Sequence, residues 1–476
     1  MIFKKSLFYF VVALNALFFC ACASNGDIAK LEMLYYEGKS ANDSYEYAKN
    51  YADDDFLWAL QSGILAYQVG ESESANEYLD GAEAFFEGVS GENAFNSVFK
   101  SFASIILSNG MFEYGGAFYE SVFINHYKAL NAVMSGDFQG ARVEFNRAND
   151  RQRRAKDYFA DYIAKRDESI DSNKGEYGEK TQNVNLGKSY DKATEIYGAH
   201  YQNLRAYRAF EGYVNPYISY LSGIFFLAQG DFDKASDLLK ESYAITGQKE
   251  ILDDIAILDK RKRNLISERT KSYTWIIIEE GRIPKKEEIR FDLPLFFVNA
   301  NVLSFNIALP ILRESYAYSV AYNVRGISAK DAPNAFEIAD ISPLVANEFE
   351  MELPYTIFTA LLSSSYKAYL QYFLGEKLGL FGSLAGAVFS YATSNADIRS
   401  VRILPLRFYA MRFLNKNGDF ALYNGSQKLR DFAFDSACES LCAGSDNIIY
   451  ARIIQNDIIS VLNHSLNNSL NNGEVR

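Results

Sequence analysis

The chain has 476 residues, 49% hydrophobic and 23% charged, an ordinary folded composition long enough for two or three domains. A balance of 60 acidic against 48 basic residues gives a net charge of −12, which excludes a general nucleic-acid binder, because such proteins turn a basic surface to phosphate. With 34 Tyr and 36 Phe but only 8 Pro, the chain favours long helices and a sheet over a disordered linker.

The N-terminus reads as an address. Lys4 and Lys5 precede an apolar run from Leu7 to Phe19, too short for the about 20 residues of a comfortable membrane span. Small residues and cysteines follow, so 1–21 is expected to be a secretory signal peptide. Phe19-Cys20-Ala21-Cys22 resembles a bacterial lipobox, with Phe19 where leucine is commonest. The resemblance implies that Cys22, preceded by the small Ala21, carries a covalent lipid. One acyl chain binds membrane only marginally, whereas several make a durable tether. The resemblance also implies transport to the outer membrane, since Ala23 rather than aspartate follows the cysteine. Residues 22–50 are expected to be anchor and linker.

From 51 to 265 the pattern is helical. Phe56, Leu57, Leu60, Ile64 and Leu65 recur at helical spacing and Gly70 breaks the run. Gly63 lies seven residues before that glycine, and Ala75, Leu79 and Ala82 lie five, nine and twelve after. The same register recurs around Gly136, with Ala129 before it and Ala141, Phe145 and Ala148 after. A third copy turns at Gly230, with Gly223 before and Ala235, Leu239 and Ser242 after. These positions resemble the tetratricopeptide helix hairpin, in which small residues let two helices approach closely. The turns stand 66 and then 94 residues apart, so this is no regular array; a degenerate pair turning near Gly110 is expected in the first gap. The helix opened at Gln139 is expected to run to about Ile170, with Ser172 to Ser189 as an exposed polar loop. The basic stretch Arg147 to Lys156, interrupted by Asp150, reads as a solvated helix face.

Near Ser272 the pattern changes to a sheet. Strands are expected at Tyr273–Ile278, Ile289–Leu293, Val302–Leu309, Ala317–Val324, Ser400–Leu414, Phe420–Tyr423, Leu429–Phe434 and Ile448–Ile454. Asn417-Gly418 marks a hairpin turn. Within this β-rich domain, 266–455, an apolar helix pair is expected over 355–393, with Gly382 and Gly386 at a spacing that allows close helix packing. Residues 456–476, rich in Asn, are expected to be a disordered tail holding His464. The fold class is therefore α+β: a tetratricopeptide-like helical solenoid, then a β-rich domain with an inserted apolar helix pair.

Reactive constellations are not apparent. The 3 histidines, His126, His200 and His464, form no metal-ligand spacing, and there is no G-x-S-x-G turn or phosphate-binding loop. Glu279 with Glu280, and Glu287 with Glu288, are adjacent on strands and so point to opposite faces. No catalytic residue, cofactor or metal is expected. Cys438 and Cys442 are expected to pair as a disulfide in an oxidising compartment.

Several short stretches together resemble an uncharacterised family of tetratricopeptide-containing lipoproteins of Gram-negative bacteria. They are Ala141-Arg142-Val143-Glu144, Asn215-Pro216 through Leu221-Ser222-Gly223, Glu279 to Pro284, Ala308-Leu309-Pro310, and Ala396 to Ser400 leading to Leu404-Pro405. The family tends to be encoded beside small lipoproteins similar to activators of penicillin-binding proteins, and related lipoprotein sets belong to periplasmic structures around flagellar motors. The resemblance implies a non-catalytic, periplasm-facing outer-membrane scaffold whose partners are other envelope proteins, with self-association left open. An envelope enzyme or hydrophobic-ligand carrier with a site in the C-terminal half is the competing reading.

Overall fold

A computed structural model describes residues 23–90, 114–180, 214–296, 302–378 and 395–466, with scattered positions over 190–201 and short breaks near 314–319, 328–332, 417 and 436–439. The signal segment, Cys22, the pair proposed near Gly110, His200 and residues 379–394 lie outside the described residues. The helices are α1 (Ala23–Tyr36), α2 (Ala41–Ala48), α3 (Phe56–Val69), α4 (Ser72–Ser90), α5 (Phe118–Met134), α6 (Phe138–Lys180), α7 (Pro216–Ala228), α8 (Phe232–Thr246), α9 (Lys249–Lys262), the single turn α10 (Ile266–Arg269) and α11 (Ser342–Leu378).

Three helix hairpins, α3/α4, α5/α6 and α7/α8, share one turn. Gly70, Gly136 and Gly230 close the first helix of each with φ of 87°, 72° and 77°, a left-handed conformation that side chains resist and glycine adopts freely. In each, the next residue's amide reaches back to the helix: Glu71 to Ala66, Asp137 to Ala132 and Asp231 to Phe226, all at 2.9 Å. The second helix then opens with Ala75, Ala141 or Ala235 bonded to the residue after the glycine. All three alanines are buried. A Cβ on Gly63 would lie 2.6 Å from the Leu79 side chain, and one on Gly223 2.8 Å from that of Leu239. The glycine and the leucine nine residues past the turn are thus one interlocking pair, used twice.

The C-terminal half forms a five-stranded sheet in the order β10-β9-β1-β6-β5, a three-stranded sheet β4-β7-β8 and a hairpin β2-β3. The strands are β1 (Tyr273–Glu280), β2 (Lys286–Phe296), β3 (Val302–Leu312), β4 (Tyr322–Arg325), β5 (Phe336–Asp340), β6 (Arg407–Leu414), β7 (Phe420–Asn424), β8 (Gln427–Phe432), β9 (Asn447–Ile454) and β10 (Asp457–Ser465). Central strand β1 runs antiparallel to β6 and parallel to β9. Strand alternation sends Trp275 and Ile277 into a core shared with the helices, and Ile276 and Ile278 into a second core with the three-stranded sheet. The layers are therefore helices, large sheet, small sheet.

Several expectations need correction. The boundary at 265/266 separates element types but not cores, since the first core runs from Ile28 to Leu466 through both halves. Residues 22–50 are not a linker: α1 and α2 bury Leu31, Tyr35 and Ala48. The segment from 456 is not wholly a disordered tail, because β10 pairs with β9 up to Ser465, and the His464 ring lies 5.6 Å from Phe138. Helix is present over 355–378 as expected, but as the latter part of the longer α11, and no apolar helix pair is formed among the described residues. Helix α6 continues for 43 residues into the expected polar loop; Gly175 and Gly178 each weaken a helix by only about 1 kcal/mol, too little to stop one already extending. Strand β6 starts after Pro405, and Ser400–Leu406 is buried loop, with the Val401 and Arg402 amides held by Glu120 and Gln61 side chains. The strand expected at 317–324 is shorter and shifted, and β5 was not foreseen.

Candidate functional site

Polar groups concentrate where the helices meet the sheet. Glu279 and Glu280 point to opposite faces of β1, as adjacency requires, and Glu279 enters the helical side. Its carboxylate accepts from Tyr127 at 2.9 Å and 3.1 Å and from Tyr450. His126 Nε2 lies 3.0 Å from the Tyr450 hydroxyl and 3.1 Å from that of Tyr217. Arg452 follows from the neighbouring strand, donating to the Gly281 carbonyl at 2.7 Å and the Tyr35 hydroxyl at 3.2 Å. Burial holds the His126 pKa below its usual value despite the nearby carboxylate, and burial and the Glu279 charge hold Tyr127 and Tyr450 well above theirs. Glu279, His126, Tyr127, Tyr217 and Tyr450 are each at most 2% exposed. The cluster is closed to solvent and its hydroxyls and carboxylate meet one another, while the buried His126 Nδ1 and Arg452 Nη1 have no hydrogen-bond partner.

A second junction centres on Asp254 of α9, which accepts from Trp275 Nε1 at 2.9 Å, from the Tyr220 hydroxyl at 3.0 Å and from Arg412. One carboxylate thereby ties α7, α9, β1 and β6. At a third, Glu348 of α11 caps α5, taking the Phe118 and Tyr119 amides. Burial, reinforced by the Glu352 charge, pushes the Glu348 carboxyl from its ordinary 4.5 up to about 8, against the pull of the two amides. Below about pH 4.5 the group is protonated in folded and unfolded chain alike, and its contribution is intact. As pH rises toward 8 the unfolded chain releases the proton first, so stability is lost across this window. Glu348→Gln is expected to flatten that fall. Denaturant midpoints measured across the window check it, and equal slopes for wild type and variant would contradict it.

Between the hairpins, Glu83 of α4 receives Lys128 and Arg151, both at 2.6 Å. Arg151 is only 7% exposed, so the basic stretch on α6 is not uniformly the solvated face expected of it.

At the surface, a cleft of about 300 Å³ opens between the α7–α8 turn, the end of α9 and the loop before β9. Arg261 and Asp446 form a two-pronged pair on one wall, and Lys271 bonds Glu268 at 2.8 Å on another. Leu265, which lines it, and the next residue, Ile266, are 42% and 81% exposed. This cleft was missed in the sequence, although the run KRKRNLISERTK over 260–271 was there to be read as a charge cluster.

The predicted repeat residues Gly63, Gly70, Ala75, Gly136, Ala141, Gly223, Gly230 and Ala235 all fall at hairpin turns or helix contacts, as described above. Cys438 and Cys442 are joined as a disulfide in the loop between β8 and β9. By loop entropy so short a ring contributes about 2 kcal/mol. Cys438→Ser is therefore expected to lower stability by about that amount in chemical denaturation, with no change in fold by circular dichroism. Among the described residues no group of His, Cys, Asp or Glu is arranged to hold a metal, and no helix is long and apolar enough to cross a membrane.

Fold and junctions together define a mixed α and β protein in which helix hairpins cover one face of a sheet. No family model, curated protein or solved structure matches the chain.

Proposed function

We propose that this protein is a lipid-anchored scaffold on the periplasmic side of the outer membrane, held by Cys22, which binds other envelope proteins through tetratricopeptide-like hairpins and catalyses no reaction. The observation that carries the reading is the threefold recurrence of one hairpin turn at Gly70, Gly136 and Gly230. Helix pairs that repeat a packing register bury a common core and leave helix faces for partners, which is how solenoid binders work. The enclosure of Glu279 and His126 supports a non-catalytic role, because the groups best suited to acid–base chemistry serve packing instead. The envelope assembly served would be a peptidoglycan-synthesis complex or a periplasmic structure of the flagellar motor, as the family resemblance suggests. Metabolic labelling with a radioactive fatty acid tests the anchor. Label is expected on the wild-type chain in the outer-membrane fraction and absent from Cys22→Ala; an unlabelled wild-type chain would remove the tether.

A further inference from the structure

In a chain of net charge −12, residues 260–271 set six Lys or Arg against one Glu. They run from the last turn of α9 into α10, and Asn264, at φ 56°, turns the backbone between them. Six consecutive residues, Lys262 to Ser267, are exposed. Ile266, at 81%, is the most exposed large hydrophobic residue among those described, and Leu265 beside it is 42% exposed. The side chains of Lys260, Lys262 and Lys271 in the same run are 48%, 50% and 38% exposed. Acidic partners reach the run, Asp446 on Arg261, Asp233 on Lys262 and Glu268 on both Lys271 and Lys260. With Asp259 on α9 and Asp237 on α8, both close enough to act on Lys262, they are five against six cations.

We propose that this turn is a contact site for an anionic phospholipid surface, in which the cations meet headgroup phosphates and Leu265 and Ile266 enter the acyl boundary. An exposed aliphatic pair within a run of cations matches the layering of a phospholipid interface, with anionic charge outermost and an apolar phase behind it. An acidic protein would instead have to offer a preformed apolar pocket within its acidic face. The charge of the remaining surface repels an anionic membrane, so attraction here selects one orientation of the body.

Ile266→Trp gives a local reporter in the full chain, because the native Trp58 and Trp275 are buried at 4% and 0%. With vesicles of phosphatidylcholine containing about a third phosphatidylglycerol, tryptophan emission is expected to shift to the blue at low salt and return at high salt. Adding Lys260→Gln and then Lys271→Gln to the reporter is expected to weaken the response roughly fivefold per cation removed. Far-UV circular dichroism identical to wild type establishes that each variant is folded. No shift, or an equal shift with phosphatidylcholine alone, would overturn the proposal. A shift with soluble polyglutamate but not with vesicles would overturn it in favour of an acidic protein.

Discussion

Arg412→Ala is expected to lower the free energy of unfolding by about 3–5 kcal/mol, the usual penalty for stranding a buried charge. Asp254 is 1% exposed, and with Arg412 gone its charge would keep only the neutral donors Trp275 and Tyr220. Replacing both members, as Asp254→Leu with Arg412→Met, is expected to lose much less than the single change, because no uncompensated charge remains. The comparison tests how the halves are joined, since Asp254 belongs to α9 and Arg412 to β6. Unfolding followed by tryptophan fluorescence and by far-UV circular dichroism should shift together in the single variant. Loss of sheet signal alone, with helices intact, would mean that the two halves are independent units after all.

The second large effect is expected at the interlocking glycines. Gly223→Ala places a methyl 2.8 Å from Leu239 Cγ and 3.3 Å from the Leu239 amide. The branch carbon and backbone cannot swing aside as a side-chain end can, so the helices must separate, at a cost of about 1–3 kcal/mol. The same change at Gly63, where Leu79 Cγ would be 2.6 Å away, is expected to cost as much or more. Leu239→Ala added to Gly223→Ala removes the clash but leaves a cavity, so the pair should be less destabilised than the sum of the two single changes. Strict additivity in denaturant melts would show that these residues do not interlock.

The hairpins were legible because their constraint is local. A left-handed turn demands glycine, a close helix crossing demands a small residue, and both leave a mark at fixed offsets in the sequence. Strands β1, β7 and β9 were legible for a similar reason, being dense in β-branched and aromatic residues between turn signals. The junctions were not. Glu279 and Glu280 look alike in sequence, and adjacency shows only that they face opposite ways; that Glu279 meets His126 and Tyr127 depends on contacts more than 150 residues apart. Helices α1 and α2 are short and α1 has no marked apolar face, so the contacts of α1 with Arg402 and Arg452, seen in the Tyr36 and Tyr35 hydrogen bonds, could not be read locally. Strand β10 was masked by the Asn-rich stretch that follows it, although Ile458, Ile459 and Val461 gave it a readable β-branched signal.

As we propose, this chain holds envelope proteins together from a membrane tether. Crosslinking in intact cells, followed by recovery of the wild-type chain and of Cys22→Ala and identification of what is bound, tests it most directly. The same envelope proteins or lipoproteins are expected in every wild-type preparation, with their yield reduced when the tether is removed. Wild-type recovery of no envelope protein above an untagged control would contradict it.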